Sequence, residues 1–214
     1  MTKDKDKDNI IIYRRLSIDD LVDIVDLESN VWPAQLRASK DCLEKRLLWG
    51  HTMLGAFRNN HLSGIASWRY GKFDPDNTST MPQSFNHFSN QPNITPSNAA
   101  FVYNFALLPE IRNGRIGPNL IAEGTKILLK NHCQYLVGAS RCPSYSSENT
   151  SLQLTIRHAI NHYPLDQSSW LLDPVLNFYS RTLACKFTEP IANFMPEDLE
   201  SGGYAIGFYK RLGD

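Results

Sequence analysis

Apolar and polar residues follow one another along this chain with the periods of both strands and helices. Residues 10–14 form a short β-branched run, which predicts a first strand. Residues 100–108 are apolar at almost every position, as expected of a strand that is buried on both faces and central in a sheet. The remaining predicted strands cover residues 53–57, 62–69, 135–140, 187–194 and 203–211.

Helical spacing predicts a first helix that begins after the capping residue Ser17 and ends before Trp32-Pro33. The residues at helical spacing within it are Leu21, Ile24, Val25, Glu28 and Val31. A last helix is predicted to open at Asp173-Pro174, a pair suited to the N-cap and the first turn. Including that one, the later predicted helices cover residues 39–50, 117–131, 151–163 and 173–184.

The element order is β-α-α-β-β-β-α-β-α-β-β, which indicates an α/β fold with a mixed sheet and helices on both faces. Residues 73–98 interrupt it with Asn, Ser, Thr and Pro and show no periodicity. A stretch of that length predicts a functional lid or a disordered insertion. Because the following strand completes the sheet, one domain is predicted over residues 10–214. Residues 1–9 alternate Lys and Asp and predict a disordered tail, and residues 144–149 are predicted to form a loop.

The composition of the chain limits which partners, metal sites and cellular locations can be expected. Hydrophobic residues make up 42% and charged residues 21% of the chain, and 22 basic residues balance 22 acidic ones. Balanced charge gives no reason to expect nucleic acid or an anionic membrane as partner. No apolar run approaches the ~20 residues of a membrane span, and the N-terminus lacks a signal-peptide pattern. The four scattered cysteines show no CxxC pair, which favours reduced thiols over a metal site, so a cytoplasmic protein is expected.

The strongest chemical signal is FALLPEIRNGRIG, at residues 105–117. It is typical of a central strand that runs into a turn and then a helix N-terminus, where N–H groups and the helix dipole form an anion site. Arg112 and Arg115 add charge, so the site suits a pyrophosphate. A nucleotide P-loop is excluded because its lysine is absent. The alternative is a structural turn with solvated arginines.

This segment resembles the coenzyme A-binding motif of the GNAT family (GCN5-related N-acetyltransferases), written V-x-P-x-x-R-x-x-G-x-G. Leu107 stands at the apolar position, Pro109 at the proline, Arg112 at the Arg/Gln, and Ile116-Gly117 at the end. The resemblance covers nearly the whole chain. Residues 12–17 with Asp20-Leu21 are similar to the first strand and helix of the family, and residues 177–181 to its last helix. Segments similar to GNAT domains that stand alone or are fused to nitrilase-like hydrolases are residues 138–145, 173–178 and 203–206.

Two positions depart from the family motif. Arg115 stands where the family has the penultimate loop glycine, and neighbouring Gly114 is expected to absorb the strain in a shifted turn. Pro118 removes one N–H donor from the first helical turn. Both changes bear on the affinity for coenzyme A.

The resemblance implies a mostly antiparallel sheet whose fourth strand splays from the fifth, and an acetyl-CoA or other acyl-CoA co-substrate without a metal. It implies that pantetheine pairs with the main chain of Phe105 and Leu107 and that the Leu107 N–H stabilises the oxyanion. It also implies that Tyr179 is the general acid that protonates the leaving thiolate. The residues implied to bind the cofactor are Phe105, Leu107, Arg112, Asn113, Gly114, Arg115, Ile116 and Gly117.

The resulting hypothesis is an N-acyltransferase in which a small amine, amino acid or peptide attacks the thioester directly in a ternary complex. The general base stays open among Glu28, Glu110, His51, His158, His162 and a water chain. A covalent relay through Cys142 is not expected, because no neighbouring residue activates the thiol. The alternatives are a non-catalytic acyl-CoA sensor or interaction module and acyl transfer from an acyl carrier protein. The closing strands are a candidate homodimer contact.

Overall fold

The computed structural model describes residues 10–112, 114–143 and 173–213. The predicted tail, the loop at residues 144–149 and the helix at residues 151–163 lie outside them. The strands are β1 (Ile11–Arg15), β2 (Thr52–Arg58), β3 (His61–Gly71), β4 (Ala99–Leu107), β5 (Tyr135–Arg141), β6 (Lys186–Ile191) and β7 (Ala205–Arg211). The helices are α1 (Leu21–Val31), α2 (Lys40–Leu48), α3 (Phe85–Ser89), α4 (Ile116–Lys130) and α5 (Pro174–Leu183). No helix in the described ranges is both long and apolar enough to cross a bilayer.

Side-chain caps fix three helix starts where the sequence predicts them. The Ser17 hydroxyl accepts from the Asp19 N–H at the short 3-10 turn before α1. The Ser39 hydroxyl accepts from an N–H of α2 at 3.2 Å, and the Asp173 carboxylate accepts from two N–H groups of α5 at 2.9 and 3.1 Å. Such caps satisfy backbone donors that the helix itself leaves without a partner.

Seven strands form one sheet in the order β1-β2-β3-β4-β5-β7-β6, in which only the β4–β5 pair is parallel. The predicted hairpin joins β2 to β3, and Asn59 and Asn60 adopt φ values of 51° and 63°. Buried residues of α1, α2 and α3 pack on one face of the sheet, while those of α4 and α5 pack on the other. The predicted mixed sheet with helices on both faces is confirmed.

The segment at residues 73–98 is an ordered part of the first face rather than a structureless loop. It contains α3 and contributes the buried side chains of Phe73, Met81 and Phe88 to the core. Arg69 of β3 donates to the carbonyls of Phe88 and His87 at the end of α3, at 2.9 and 2.8 Å. These contacts explain how a segment without hydrophobic periodicity becomes fixed: a few irregularly spaced aromatic residues anchor it to the sheet.

Because Phe88 is only 1% exposed, we expect Phe88→Leu to lower the free energy of unfolding by about 1–2 kcal/mol through lost packing. Denaturant unfolding followed by circular dichroism would measure the change. Ile94→Ala is the matched control in the same segment, since Ile94 is 45% exposed. Equal effects of the two substitutions would show that the segment does not belong to the core.

The central strands separate near their carboxyl ends. The β4–β5 ladder runs from Ala99↔Tyr135 to Val102↔Gly138, whereas β4 continues to Leu107. A Cβ at Gly138 would lie 2.3 Å from the Phe208 ring, so only glycine lets β7 pack this closely behind the last paired residue. The two strands therefore enclose an open gap at one edge, where the splayed strand pair was predicted.

Candidate functional site

A β-bulge directs two successive side chains of β4 toward the same face of the sheet. Ser67 pairs with Asn104 and Trp68 pairs with Val102, so Tyr103 has no partner opposite it on β3. An extra residue of this kind interrupts the usual alternation of side chains. As a result, both Tyr103 and Asn104 line a cavity on the face covered by α1, α2 and α3.

That cavity lies beside the gap between β4 and β5 and encloses about 70 Å³. This volume admits the reacting end of a ligand, a few heavy atoms, rather than a whole peptide. We call it the acceptor cavity, after the amine acceptor that the sequence predicts. Its lining residues are Glu28, Trp32, Leu36, Ala38, Arg46, Phe85, Tyr103, Asn104, Ala139, Arg141, Phe194, Met195, Asp198 and Tyr204.

A buried carboxyl and a buried amide meet at this cavity. Glu28 of α1 is 4% exposed, and its Oε1 accepts from Asn104 Nδ2 at 2.6 Å. Burial raises the pKa of Glu28 to about 7, while the nearby Arg46 and the Asn104 bond act in the opposite direction. The Asn104 side chain is anchored by this bond, yet its Oδ1 is buried and makes no hydrogen bond among the described residues. The pair thus offers a carboxylate and a free amide oxygen, two acceptors suited to one N–H donor group.

One side of the cavity is closed by an ion-pair network. Arg141, at the end of β5, donates to the Asp198 carboxylate at 2.6 and 2.8 Å and to the Glu200 carboxylate at 2.7 Å. Its guanidinium also lies 5.7 Å from the centroid of a Trp32 ring system. The contacts tie β5 to the connection between β6 and β7 and to the end of α1, so they hold the cavity wall in place.

A neutral histidine, His51, holds the cavity-lining residue Tyr103 in place through a hydrogen bond. His51 Nε2 lies 2.8 Å from the Gln91 carbonyl, so Nε2 carries the proton and Nδ1 accepts from the Tyr103 hydroxyl at 3.1 Å. Burial lowers the pKa of His51 to about 4, and burial raises the pKa of Tyr103. His51 is one of the predicted base candidates, but both ring nitrogens are engaged in these bonds, which assigns it a structural role.

Main-chain groups of β4 face the gap at the predicted positions. The Leu108 N–H donates to the Ser63 carbonyl at 2.9 Å, so it points toward β3. Successive residues of a strand alternate, and the N–H groups of Leu107 and Phe105 therefore point away from β3, toward the gap. This geometry supports the predicted roles of both residues, which stay predictions.

The strand-to-helix turn after β4 keeps two N–H groups pointing out of the helix start. The Asn119 N–H donates to the carbonyl of the N-cap residue Arg115 at 2.9 Å, so the N–H groups of Ile116 and Gly117 precede the helical bonds of α4. A Cβ at Gly117 would lie 3.1 Å from Leu107 Cδ1 and 3.4 Å from the Phe178 ring, so the missing side chain is what allows this close approach.

The replaced loop glycine introduces no backbone strain. Arg115 adopts φ −81° and ψ 0°, and neither Gly114 nor Gly117 has a positive φ. The expected strain in a shifted turn at Gly114 is therefore not found. Arg112 donates from Nε to the Leu107 carbonyl at 3.2 Å, which ties the turn to β4, whereas the Arg115 side chain is exposed. Asn113 lies outside the described residues.

Tyr179 lies on the opposite face of the sheet from the acceptor cavity. Its half-buried ring packs against Phe208, with centroids 4.5 Å apart, and contacts Phe105 and Phe178 at 6.3 and 5.5 Å. Burial raises the pKa of its phenol, and Cys185 adds to that effect. The ring flanks the gap on the α5 side. This position is compatible with the predicted role of Tyr179 as general acid, which stays a prediction.

The other residues predicted as candidates for the general base are Glu110, His158 and His162. Glu110 is exposed on the surface of the turn, and His158 and His162 lie outside the described residues. Burial raises the pKa of the Cys142 thiol, so the thiolate needed for a covalent relay is disfavoured, as expected. Sequence reasoning missed Asn104, Arg46 and Arg141. Asn104 gave a signal in the sequence, as a polar residue within an apolar run.

Comparison with known proteins rests on structure. No family model matches the sequence, and no curated protein matches it. The loading GNATL domain of CurA from Lyngbya majuscula is 18% identical with a TM-score of 0.76, and the match covers 95% of this chain and 98% of that domain. The GphF GNAT-like decarboxylase in complex with isobutyryl-CoA is 18% identical with a TM-score of 0.75, covering 94% and 99%.

An N-acetyltransferase also matches over its full length. The ribosomal-protein-S18-alanine N-acetyltransferase from Escherichia coli is 12% identical with a TM-score of 0.59, and the match covers 96% of each chain. Identities this low show the fold alone. The chain has the GNAT fold, which confirms the predicted resemblance at the level of architecture.

Proposed function

We propose that this protein is an N-acyltransferase that moves an acyl group from acyl-CoA to an amine, with Glu28 as the general base. The observation that carries the proposal is the pair of Glu28 and Asn104, joined at 2.6 Å on a cavity beside the gap between the splayed strands. The buried Oδ1 of Asn104, which has no hydrogen-bond partner among the described residues, supplies the second acceptor that a primary amine needs.

The raised pKa of Glu28 fits the proton that must be removed. An α-ammonium group has a pKa of about 7.7–8.0, whereas an ordinary glutamate has a pKa of 4.5, a mismatch of more than three units. With the pKa of Glu28 at about 7, proton transfer from an ammonium is nearly balanced. A base matched in this way is the most effective one near neutral pH.

The acyl donor fits the gap on the side of α4. The outward N–H groups of Ile116 and Gly117 and the side chain of Arg115 suit a diphosphate, and the main chain of Phe105 and Leu107 suits an extended pantetheine arm. The GphF structure, which holds isobutyryl-CoA, supports this assignment by analogy of fold.

The reaction then proceeds across the sheet. The ammonium group enters the acceptor cavity and gives one proton to Glu28, which passes it to solvent. The neutral amine then attacks the thioester carbon, so that a C–N bond forms while the Leu107 N–H stabilises the oxyanion, and the nitrogen gives its second proton to Glu28. The C–S bond breaks as the intermediate collapses, and Tyr179 on the opposite face protonates the departing thiolate. Proton exchange with solvent returns Glu28 and Tyr179 to their starting states. Because the base and the acid lie on opposite faces of the sheet, each can approach its own reactant while the amine and the thioester are held next to each other.

The role of Tyr179 is tested by Tyr179→Phe. We expect the substitution to lower kcat about tenfold, below the usual range for a general acid because water can also protonate a thiolate, while the Kd for acyl-CoA is retained. Release of free thiol with an amine panel measures kcat, and calorimetry measures the Kd. Tyr135→Phe is the matched control, a half-buried tyrosine outside the gap region. Equal loss in both variants would remove Tyr179 from the mechanism.

The non-catalytic sensor is distinguished by the same assay. A sensor would bind acyl-CoA in calorimetry and release no thiol with any amine, amino acid or peptide in a broad panel. The buried carboxyl at the acceptor cavity, with its raised pKa, favours turnover, because catalytic acids and bases are often tuned in this way. Absence of any heat with coenzyme A or its acyl forms would refute both proposals.

A second candidate reaction is decarboxylation of a carboxylated acyl-CoA. It is supported by the TM-score of 0.75 with the GphF decarboxylase, which exceeds the 0.59 found with the S18 N-acetyltransferase. Loss of CO2 would break a C–C bond, place its electron pair on a thioester enolate held by the Leu107 N–H, and require a proton from protonated Glu28. Release of CO2 from malonyl-CoA in the absence of any amine, with acetyl-CoA as the product, would select this candidate, and malonyl-CoA recovered unchanged would exclude it.

A further inference from the structure

Arg46 of α2 is a cation buried at the acceptor cavity. It is 2% exposed, and its Nε donates to the Ser89 carbonyl at 3.1 Å and to Asn90 Oδ1 at 3.2 Å, while its Nη2 donates to the same Asn90 oxygen at 3.1 Å. Its guanidinium lies 4.8 Å from the centroid of the Tyr103 ring. All of these partners are neutral. A buried charge held only by neutral groups retains strong attraction for an anion.

No carboxylate forms a salt bridge with Arg46 among the residues that the structure describes. Its Nη1 also makes no hydrogen bond to that part of the chain, although the residue lines the cavity. Arg141, the other arginine at the cavity, differs because Asp198 and Glu200 neutralise it. Arg46 therefore keeps one edge of its guanidinium available to a ligand that enters the cavity.

Opposite charges are thus presented to one small volume. Glu28 and Arg46 both line the cavity, and their charges interact without direct contact. Arg69 adds a further buried cation nearby, whose Nη1 has no hydrogen-bond partner among the described residues and whose proximity helps to keep His51 neutral. A ligand that carries an amine and a carboxylate a few bonds apart complements this arrangement better than a simple amine does.

Building on the proposed function, we infer that Arg46 binds a carboxylate of the reactant in the acceptor cavity, so that the acyl acceptor is an amino acid. The α-carboxylate would pair with the free edge of the guanidinium, and the α-amine would lie between Glu28 and Asn104. For the decarboxylation candidate, the same chemistry would instead hold a carboxylate on the acyl chain. In both cases Arg46 determines specificity and does not itself transfer a proton.

The test compares amino acids with their carboxamides as acceptors of an acetyl group from acetyl-CoA. Arg46→Met removes the charge and keeps an unbranched side chain about as long as the aliphatic stem of arginine. We expect KM for amino acids to rise about 10- to 100-fold, the range of a hydrogen bond to a charged group, while KM for the carboxamides changes less than about twofold. Arg46→Lys should restore part of the preference. Lys45→Met is the matched control, because it removes the same charge from an exposed neighbour on α2.

Two further measurements distinguish failure of the inference about Arg46 from failure of the proposed acyl transfer. Thermal unfolding of wild type and Arg46→Met with an N-acetyl amino acid or its carboxamide reports carboxylate binding without turnover, and only wild type with the free acid should be stabilised. Release of CO2 from malonyl-CoA identifies the acyl chain as the source of the carboxylate if it is lost in Arg46→Met. Equal effects on acids and amides in every assay would overturn the inference and leave acyl transfer standing. No thiol release from any amine would refute acyl transfer, and the unfolding shifts would then decide the role of Arg46.

Discussion

Glu28→Gln is expected to lower kcat/KM for acyl transfer by a factor of about 10²–10⁴, the usual contribution of a general base. Glutamine keeps the shape of the side chain and still accepts the hydrogen bond from Asn104, but it cannot take a proton from the ammonium. The Kd for acyl-CoA should not change, because Glu28 lies on the α1 face and the donor is proposed to bind from the α4 side. Thiol release under steady-state conditions gives kcat/KM, and calorimetry gives the Kd.

The pH profile provides an independent readout of the same residue. In wild type, kcat/KM should rise with pH and level off above about pH 7, where Glu28 becomes ionised. That inflection should be missing in Glu28→Gln. Asp26→Asn is the matched control, since Asp26 is an exposed carboxylate on the same helix. An inflection that persists in Glu28→Gln would assign it to the amine substrate or to another group.

Local chemistry determined much of the fold, which is why the sequence could predict it. Ser17, Ser39 and Asp173 mark helix starts because their oxygens cap N–H groups within three residues along the chain. Asn59 and Asn60 mark a hairpin because few other residues tolerate positive φ. These signals depend on neighbours in sequence alone and need no knowledge of the tertiary structure.

The acceptor cavity depends on contacts between distant segments, so the sequence could predict it only in part. Glu28 occupies a position in the apolar stripe of α1, and Arg46 lies three residues after Leu43 on α2, so charged residues on apolar faces were the available signal. Their roles follow from partners 76 and 43 residues away. The bulge that turns Asn104 toward Glu28 also leaves no mark in the sequence, because it arises from the register between β3 and β4.

The segment at residues 73–98 shows a different limit. Its anchors Phe73, Met81 and Phe88 have no common period, so periodicity could not indicate that they share one core. The polar residues between them satisfy one another in turns, as when Thr80 and Asp74 bond through side chain and main chain. Composition alone therefore favoured a lid or a disordered insertion, whereas the segment supplies the wall that carries Phe85 to the acceptor cavity.

Glu28 also imposes a pH dependence on stability. Its pKa is raised from an ordinary 4.5 to about 7 in the folded protein, so the folded state holds the proton more tightly than the unfolded chain. The stabilising contribution is complete below pH 4.5 and is lost as the pH rises toward about 7. His51 has the opposite effect in an overlapping window, because its pKa is lowered from 6.5 to about 4 and its contribution is lost as the pH falls. The pH dependence of wild-type stability alone would therefore contain the contributions of both Glu28 and His51.

The difference between Glu28→Gln and wild type isolates the carboxyl, since His51 is common to both proteins. We expect the variant to gain stability relative to wild type between pH 4.5 and pH 8, by a total of about 3 kcal/mol, the free energy that corresponds to the shift in pKa. Denaturant unfolding at several pH values measures this difference. A difference that is flat with pH would mean that Glu28 is not kept from water in the folded state. A variant that is more stable and nearly inactive would instead show that the protein gives up stability to keep a buried base at the acceptor cavity.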